Sequence, residues 1–325
     1  MSKRPYTKPW LSVPDQIELL KSRGLVVNDV GNAERLLNHV GYYRLRGYAL
    51  AFEVAGQPHK FVPGTTIEQL RDAVDFDARL RRQTSRILSV IETDLRTTVA
   101  SAFGKAHGPF GHIDVGNFLR SFSKVPEKRG PNTKHEDWLK QVRKTTKQSA
   151  ELFARHFKAT YVEFPDLPIW AATEVMTFGS VCRMVDNLKR DDLEPICEHY
   201  EVSVQKVGGW LLACNNLRNS CAHHARVWDR LRSVPPGLPK SDARFRPPLL
   251  PTNKRIFATL MVAVWLARRI DSPFFDIEAW IEEMKSLLEE RPNVPNASEL
   301  LGMPQPSDCL MRDHPLWDAV ALPVP

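Results

Sequence analysis

Between positions 66 and 105 the chain reads, in part, Leu70-Arg-Asp-Ala-Val-Asp-Phe-Asp-Ala-Arg-Leu80 and Ile87-Leu-Ser-Val-Ile-Glu-Thr-Asp-Leu-Arg-Thr-Thr-Val99. Leu70, Val74, Leu80, Ile87, Leu88, Ile91, Leu95 and Val99 follow a three-four spacing. That period lines them along one stripe of an α-helix. One long helix or two consecutive ones cover the stretch, and Gly108-Pro-Phe-Gly111 ends it.

The same period governs the flanks. Ser12-Val-Pro-Asp-Gln-Ile-Glu-Leu-Leu20 opens with a capping residue and an early proline, then stops at Arg23-Gly24. A second short helix covers 33–40 and closes at Gly41, while Gly56, Pro58, Pro63 and Gly64 make 53–65 a loop or small hairpin. Downstream, helices are expected over 151–160, 167–179, 180–188, 193–200 and 204–232, and a C-terminal pair over 253–269 and 275–290. Val234-Pro-Pro-Gly-Leu-Pro239 and Arg246-Pro-Pro-Leu-Leu-Pro251 bracket a linker. Trp170 and Phe178, eight apart on an apolar helix, read as core residues. No repeat is visible and few segments alternate with a period of two, so the fold is expected to be mostly α. Its expected parts are an N-terminal helical segment (1–65), a core (66–235) and C-terminal helices with a tail (236–325).

The chain has 325 residues, 42% of them hydrophobic, enough for a packed core. Its formal charge of +7 suits a polyanionic partner such as RNA, DNA or a membrane surface, although many soluble enzymes are as basic. Met1-Ser-Lys-Arg-Pro-Tyr6 has no apolar run, so no signal peptide is expected. No run of ~18 apolar residues predicts a membrane span. The five cysteines are scattered and form no CxxC pair, which argues against a zinc ribbon or disulfide framework and fits a reducing, cytoplasmic setting. Residues 122–147 are polar and rich in lysine and arginine. They read as a mobile basic insertion leading into a helix, with Lys140, Arg143 and Lys144 as candidate RNA contacts, or equally as an ordinary solvated loop.

The local conflict in the sequence lies at Leu211-Leu-Ala-Cys-Asn-Asn-Leu-Arg-Asn-Ser-Cys-Ala-His-His-Ala-Arg-Val-Trp228. Apolar flanks call for a core-facing helix, yet its middle holds asparagines, an arginine and two histidines. Asparagine is a mediocre helix former, and buried polar groups need partners. At about 100° per residue, Asn215, Asn219 and His223 stack on one stripe, while Arg218 and His223 diverge by roughly 140°. A long arginine spans part of that gap, and a second copy of the helix across a two-fold axis closes the rest. The residue types suit RNA cleavage without a metal or other cofactor. Histidine moves a proton near neutral pH, arginine clamps a phosphate, and asparagine orients either group. The expected products are a 2′,3′-cyclic phosphate and a 5′-OH. The competing reading is a buried hydrogen-bond network that fixes helix packing. His223 and His224 point about 100° apart on a helix and form no HExxH pairing, so a metal site is not expected.

Arg218-Asn-Ser-Cys-Ala-His223 has the RNxxxH form of the RxxxxH motif of HEPN-domain ribonucleases. More specifically, the chain resembles the Abi-like family of bacterial abortive-infection proteins, of the AbiD/AbiF type. The matching blocks are Tyr6-Thr-Lys-Pro9, Gln16 with Leu19-Leu20, Arg23-Gly-Leu25, Gly41-Tyr-Tyr-Arg-Leu45 with Gly47-Tyr48, and Phe76-Asp77 with Leu80-Arg81. Further blocks are Ile91-Glu92 with Leu95-Arg96, Leu167-Pro-Ile-Trp170 through Glu174 with Phe178-Gly179, and the Leu217–His224 stretch; together they span 6–232. RxxxxH alone recurs by chance, whereas an ordered series of blocks is specific. Arg46 departs from the pattern, which has a small residue there.

The resemblance implies a HEPN-like helical bundle with N- and C-terminal helical additions, and dimerisation to build a composite site. It also implies anti-phage defence through RNA cleavage, with a small structured non-coding RNA as partner. Carried over, Arg218 and His223 are catalytic, Asn219 supports them, and Asn215 and His224 stand beside them. Glu92 and Arg96, four apart on the long helix, support the site or form an ordinary intrahelical ion pair. The block Tyr42, Tyr43, Arg44, Arg46 and Tyr48 stacks bases and contacts phosphate, or else plugs the core. The alternative to an enzyme is a non-catalytic RNA-binding protein whose polar helix is structural. A protein-interaction module is a third reading that no residue selects.

Overall fold

The structure, a computed structural model, describes residues 5–126 and 131–319. Residues 127–130 of the expected basic insertion lie outside the described residues, as do the two chain ends.

Helix α1 (Val13–Ser22) begins where expected, with the Ser12 hydroxyl accepting the Asp15 N–H. Helices α2 (Val30–Val40) and α3 (Tyr42–Ala49) meet at Gly41, whose φ of 80° turns the chain sharply. The long periodic stretch is a single helix, α4 (Ile67–His107), of 41 residues. A capping box between Thr66 and Gln69 starts it, and Gly108 at φ 71° stops it. At 1.5 Å per residue it is about 60 Å long. Then follow α5 (Lys134–Gln148), α6 (Leu152–Thr160), α7 (Ile169–Val175), α8 (Phe178–Val185), α9 (Arg190–Tyr200) and α10 (Val204–Ala222). Helices α11 (Ile256–Ala267), α12 (Ile277–Glu289) and α13 (Ala297–Leu301) complete the order. Among the described residues there is no β-strand, only isolated bridges such as Glu53 with Phe61. The fold is a mostly α bundle.

Helix α4 is the spine. Helices α3, α7, α8, α9, α10, α11 and α12 all pack against it. Every residue of α11 is buried, which explains its apolar composition all round. No helix among the described residues is long and apolar enough to cross a membrane.

Three expectations need correction. The 167–179 segment is two helices rather than one. Met176 is extended (φ −66°, ψ 147°), and Thr177 caps α8 by accepting the Ser180 N–H. Trp170 and Phe178 therefore do not share a face: Phe178 is buried, whereas Trp170 is 55% exposed. The 122–147 segment does lead into a helix, and the alternative of an ordinary solvated loop falls. Thr133 and Glu136 box the start of α5, which buries Trp138, Leu139 and Val142. Finally, the helix expected to run to 232 ends at Ala222.

Candidate active site around Arg218 and His223

Helix α10 lies against α4, and two charged residues join them. The Arg218 guanidinium forks onto the Glu92 carboxylate, Nε to Oε2 at 3.0 Å and Nη2 to Oε1 at 3.2 Å. One turn along α4, Arg96 Nη2 donates to the same Oε1 at 2.7 Å. Its Nη1 donates to the carbonyl oxygens of Thr173 and Met176, so Arg96 also satisfies the open C-terminal end of α7. Glu92 is buried between two cations. On the α10 side, Arg218 Nη1 donates to Asn219 Oδ1 at 3.3 Å, and Asn219 Nδ2 donates to Asn215 Oδ1 at 3.4 Å. Gly179 leaves room for Asn215, since a Cβ there would lie 3.2 Å from its Nδ2. The structure thus brings Glu92, Arg96, Asn215, Arg218 and Asn219 into one network.

Two guanidinium groups on one carboxylate leave a net positive charge. A guanidinium carries five N–H donors, and among the described residues Arg218 uses Nε, one on Nη1 and one on Nη2. Its side chain is 39% exposed, so part of it is open to water. That arrangement suits a phosphate oxygen.

His223 lies just beyond this network. It is the C-cap of α10, with its N–H donating to Asn219 O at 3.0 Å. His224 follows at φ 53°, in the left-handed region. The His224 N–H donates to Cys221 O at 3.0 Å and the Ala225 N–H to Ser220 O at 2.9 Å. This is the Schellman closure, with histidine where glycine is usual. His223 therefore stands at the foot of the Asn215–Asn219 stripe, where a helix has just ended. It is exposed, and among the described residues its imidazole has no hydrogen-bond partner.

The turn after His224 is latched to α4 by Asp77, a fully buried carboxylate. Asp77 Oδ1 accepts the N–H groups of Val227 and Trp228 at 2.9 and 2.7 Å. Its Oδ2 accepts the Tyr48 hydroxyl at 2.7 Å and a donor from Arg81. Trp228 stacks on the Tyr48 ring at 6.3 Å between centroids. Arg226 donates to the Gly47 carbonyl and to Asp229. The sequence reading gave Asp77 no role, because the backbone groups that it holds come from 150 residues away.

Residues 35–229 match the Abi-like protein family, more than half of the chain. The chain belongs to that family. No curated protein and no solved structure matches. Membership supports a role in abortive infection. The matched span holds Asp77, Glu92, Arg96, Arg218, His223 and the Val227–Trp228 turn.

The other residues singled out in this Abi-like chain divide by exposure. Tyr48 is buried against Asp77, so its ring has no open face for a base. Arg46 pairs with Glu53 and contacts His59 at 2.8 Å. Tyr43 and Arg44 are exposed, and Tyr42 accepts a hydrogen bond from Arg23 at 2.7 Å. On α5, Lys140 and Lys144 are exposed, whereas Arg143 forks onto Asp166 at 2.6 and 2.7 Å. Cys221, inside the motif, is buried, and burial pushes its thiol up to about 11, away from the reactive thiolate. Among the described residues no cluster of histidine, cysteine and carboxylates is placed to hold a metal.

Proposed function

We propose that this Abi-like protein is a metal-independent endoribonuclease of the HEPN superfamily and of the AbiD/AbiF type. It acts in anti-phage defence in the cytoplasm, as a homodimer, with a small non-coding RNA as partner. One observation carries the reading. Arg218 is held on Glu92 with N–H donors to spare on a part-exposed side chain, and His223, on the same helix end, is exposed with no partner for its imidazole among the described residues.

The chemistry follows from those two groups. A base removes the proton of a ribose 2′-OH, and the 2′-oxygen attacks the adjacent phosphorus. The O2′–P bond forms, the P–O5′ bond breaks, and the departing 5′-oxygen takes a proton. The products are a 2′,3′-cyclic phosphate and a 5′-OH, and no water is consumed. Arg218 stabilises the charge that builds on the phosphate oxygens. One His223 provides the base or the acid, and its equivalent in a second copy provides the other.

The test is cleavage of structured RNA in EDTA by wild type, Arg218→Ala and His223→Ala, with analysis of the end groups. Cyclic phosphate ends from wild type alone are expected. Equal cleavage by wild type and His223→Ala, or none by wild type under any trigger, sinks the reading. The alternative is an RNA-binding protein without catalysis, in which the polar helix is structural. The closed chain from Asn215 through Arg218 to Arg96 favours it. It leaves the exposed His223 imidazole without a task.

A further inference from the structure

A second recess lies at the other end of the latch, between residues 6–11, α1 and α3. Its volume is about 940 Å³, within the range of small-molecule sites. Three rings on its rim are left in water: Tyr6 is 74% exposed, Trp10 86% and Tyr43 78%. The Tyr6 and Tyr43 hydroxyls lie 3.1 Å apart, which ties the N-terminal segment across the mouth. Lys8, Arg23, Arg46 and His59 also line it, and no carboxylate does. The floor is joined to the candidate active site. Gly47, a lining residue, gives its carbonyl to Arg226, three residues past His223. The next residue, Tyr48, is bonded to the same Asp77 that holds the Val227–Trp228 turn.

We propose that this cleft holds a nucleotide of single-stranded RNA, with its base stacked on Trp10 and Tyr43 and its phosphates facing Lys8 and Arg23. The proposal rests on the RNA reading above and names the strand's seat outside the cleavage site. Exposed rings recognise a base whatever its sequence, and Lys8 and Arg23 recognise the backbone, whereas Arg46 is already paired with Glu53. A protein segment would find the rings but would leave the cations unmatched. Gly47 alone joins the cleft to the segment after His223, through its carbonyl on Arg226. Trp10, Tyr6 and Lys8 therefore join Tyr43 as contacts, and Tyr48 does not.

The experiment uses the full chain carrying His223→Ala, so that binding is read without cleavage. A fluorescein-labelled oligouridine of 12 nucleotides is titrated by anisotropy at several salt concentrations. Trp10→Ala and Tyr43→Ala are each expected to weaken binding by about tenfold. Lys8→Ala is expected to lower the salt slope by about one unit. The rings are exposed, so melting temperatures should stay the same. Unchanged binding by the Trp10→Ala/Tyr43→Ala double variant, or no binding by the parent, overturns the proposal and gives the cleft to another occupant. RNA cleavage by the otherwise wild-type chain is scored separately. Cleavage with unchanged oligouridine binding removes the cleft alone. Ring-dependent binding without cleavage removes the nuclease alone.

Discussion

Arg218 on α10 reaches back 126 positions to fork onto Glu92 on α4, through contacts of 3.0 and 3.2 Å. Two helices distant in sequence are thereby fixed at the point where the candidate chemistry sits. Glu92 aims Arg218 and, being shared with Arg96, offsets only part of its charge.

Glu92→Gln should therefore uncouple aim from fold. The amide keeps the shape but removes the charge shared by two arginines. We expect about 1–3 kcal/mol of lost stability by urea unfolding. We also expect single-turnover RNA cleavage to fall by about 100-fold, as misplacement of a clamping group does. Full cleavage with lowered stability would make Glu92 purely structural.

The two adjacent histidines should behave oppositely. His223→Ala is expected to leave stability within about 0.5 kcal/mol, because among the described residues no hydrogen bond or ion pair engages the exposed imidazole. Cleavage should drop by at least about 100-fold. His224→Gly relieves a left-handed φ of 53° and should stabilise the chain by up to about 1 kcal/mol with activity kept. A destabilised His224→Gly would mean that its side chain, and not its backbone, closes the helix.

Asp77→Ala should be the most damaging of these changes. It strands the Arg81 cation, the Tyr48 hydroxyl and two backbone N–H groups in the interior. A loss of about 3–5 kcal/mol is expected in urea. Amide exchange at Val227 and Trp228 should quicken ahead of the rest of the core, and uniform quickening would count against a local latch.

Acid should weaken the fold before its carboxylates titrate. Burial lowers both His112 and His314 from 6.5 to about 4. His314 Nδ1 already accepts the Leu316 N–H at 3.2 Å, so a proton there would face a donor. Between these pH values the unfolded chain binds more protons than the folded one. Stability should be full above pH 6.5 and fall towards pH 4, by up to about 1.4 kcal/mol per pH unit for each histidine. Urea midpoints at pH 7, 6 and 5 check this, and His314→Gln should flatten the curve.

If the site is shared between two copies, specific activity should fall on dilution as dimers part. Sedimentation velocity over the same concentrations should show a matching shift in mass. An active monomer at all dilutions would leave a nuclease but remove the composite site.

Much of this was legible in the residues. The three-four spacing from Leu70 to Val99 predicted α4, because burying one stripe is the same requirement wherever the helix lies. The polar run 215–223 stood out by its conflict with apolar flanks, and five of the residues chosen beside it meet in one network. Helix ends were read less well. The expected helix to 232 had no glycine or proline to stop it after Ala222. The stop is a histidine in left-handed geometry, and distant Asp77 holds the chain only from Val227 on. Trp170 was misplaced because the break at Met176 separates α7 from α8, and each packs on α4 by its own face.

The sequence by itself determined the helical class, the spine and the residue types available for chemistry, because periodicity and composition are local properties. Only the tertiary structure decided which of those residues work together. Glu92 meets Arg218, Asp77 meets Trp228, and Tyr48 is withdrawn inside while Trp10 is left in water. Those outcomes depend on contacts between positions far apart in the chain, and a polar group's partner is fixed by where the packed helices leave it.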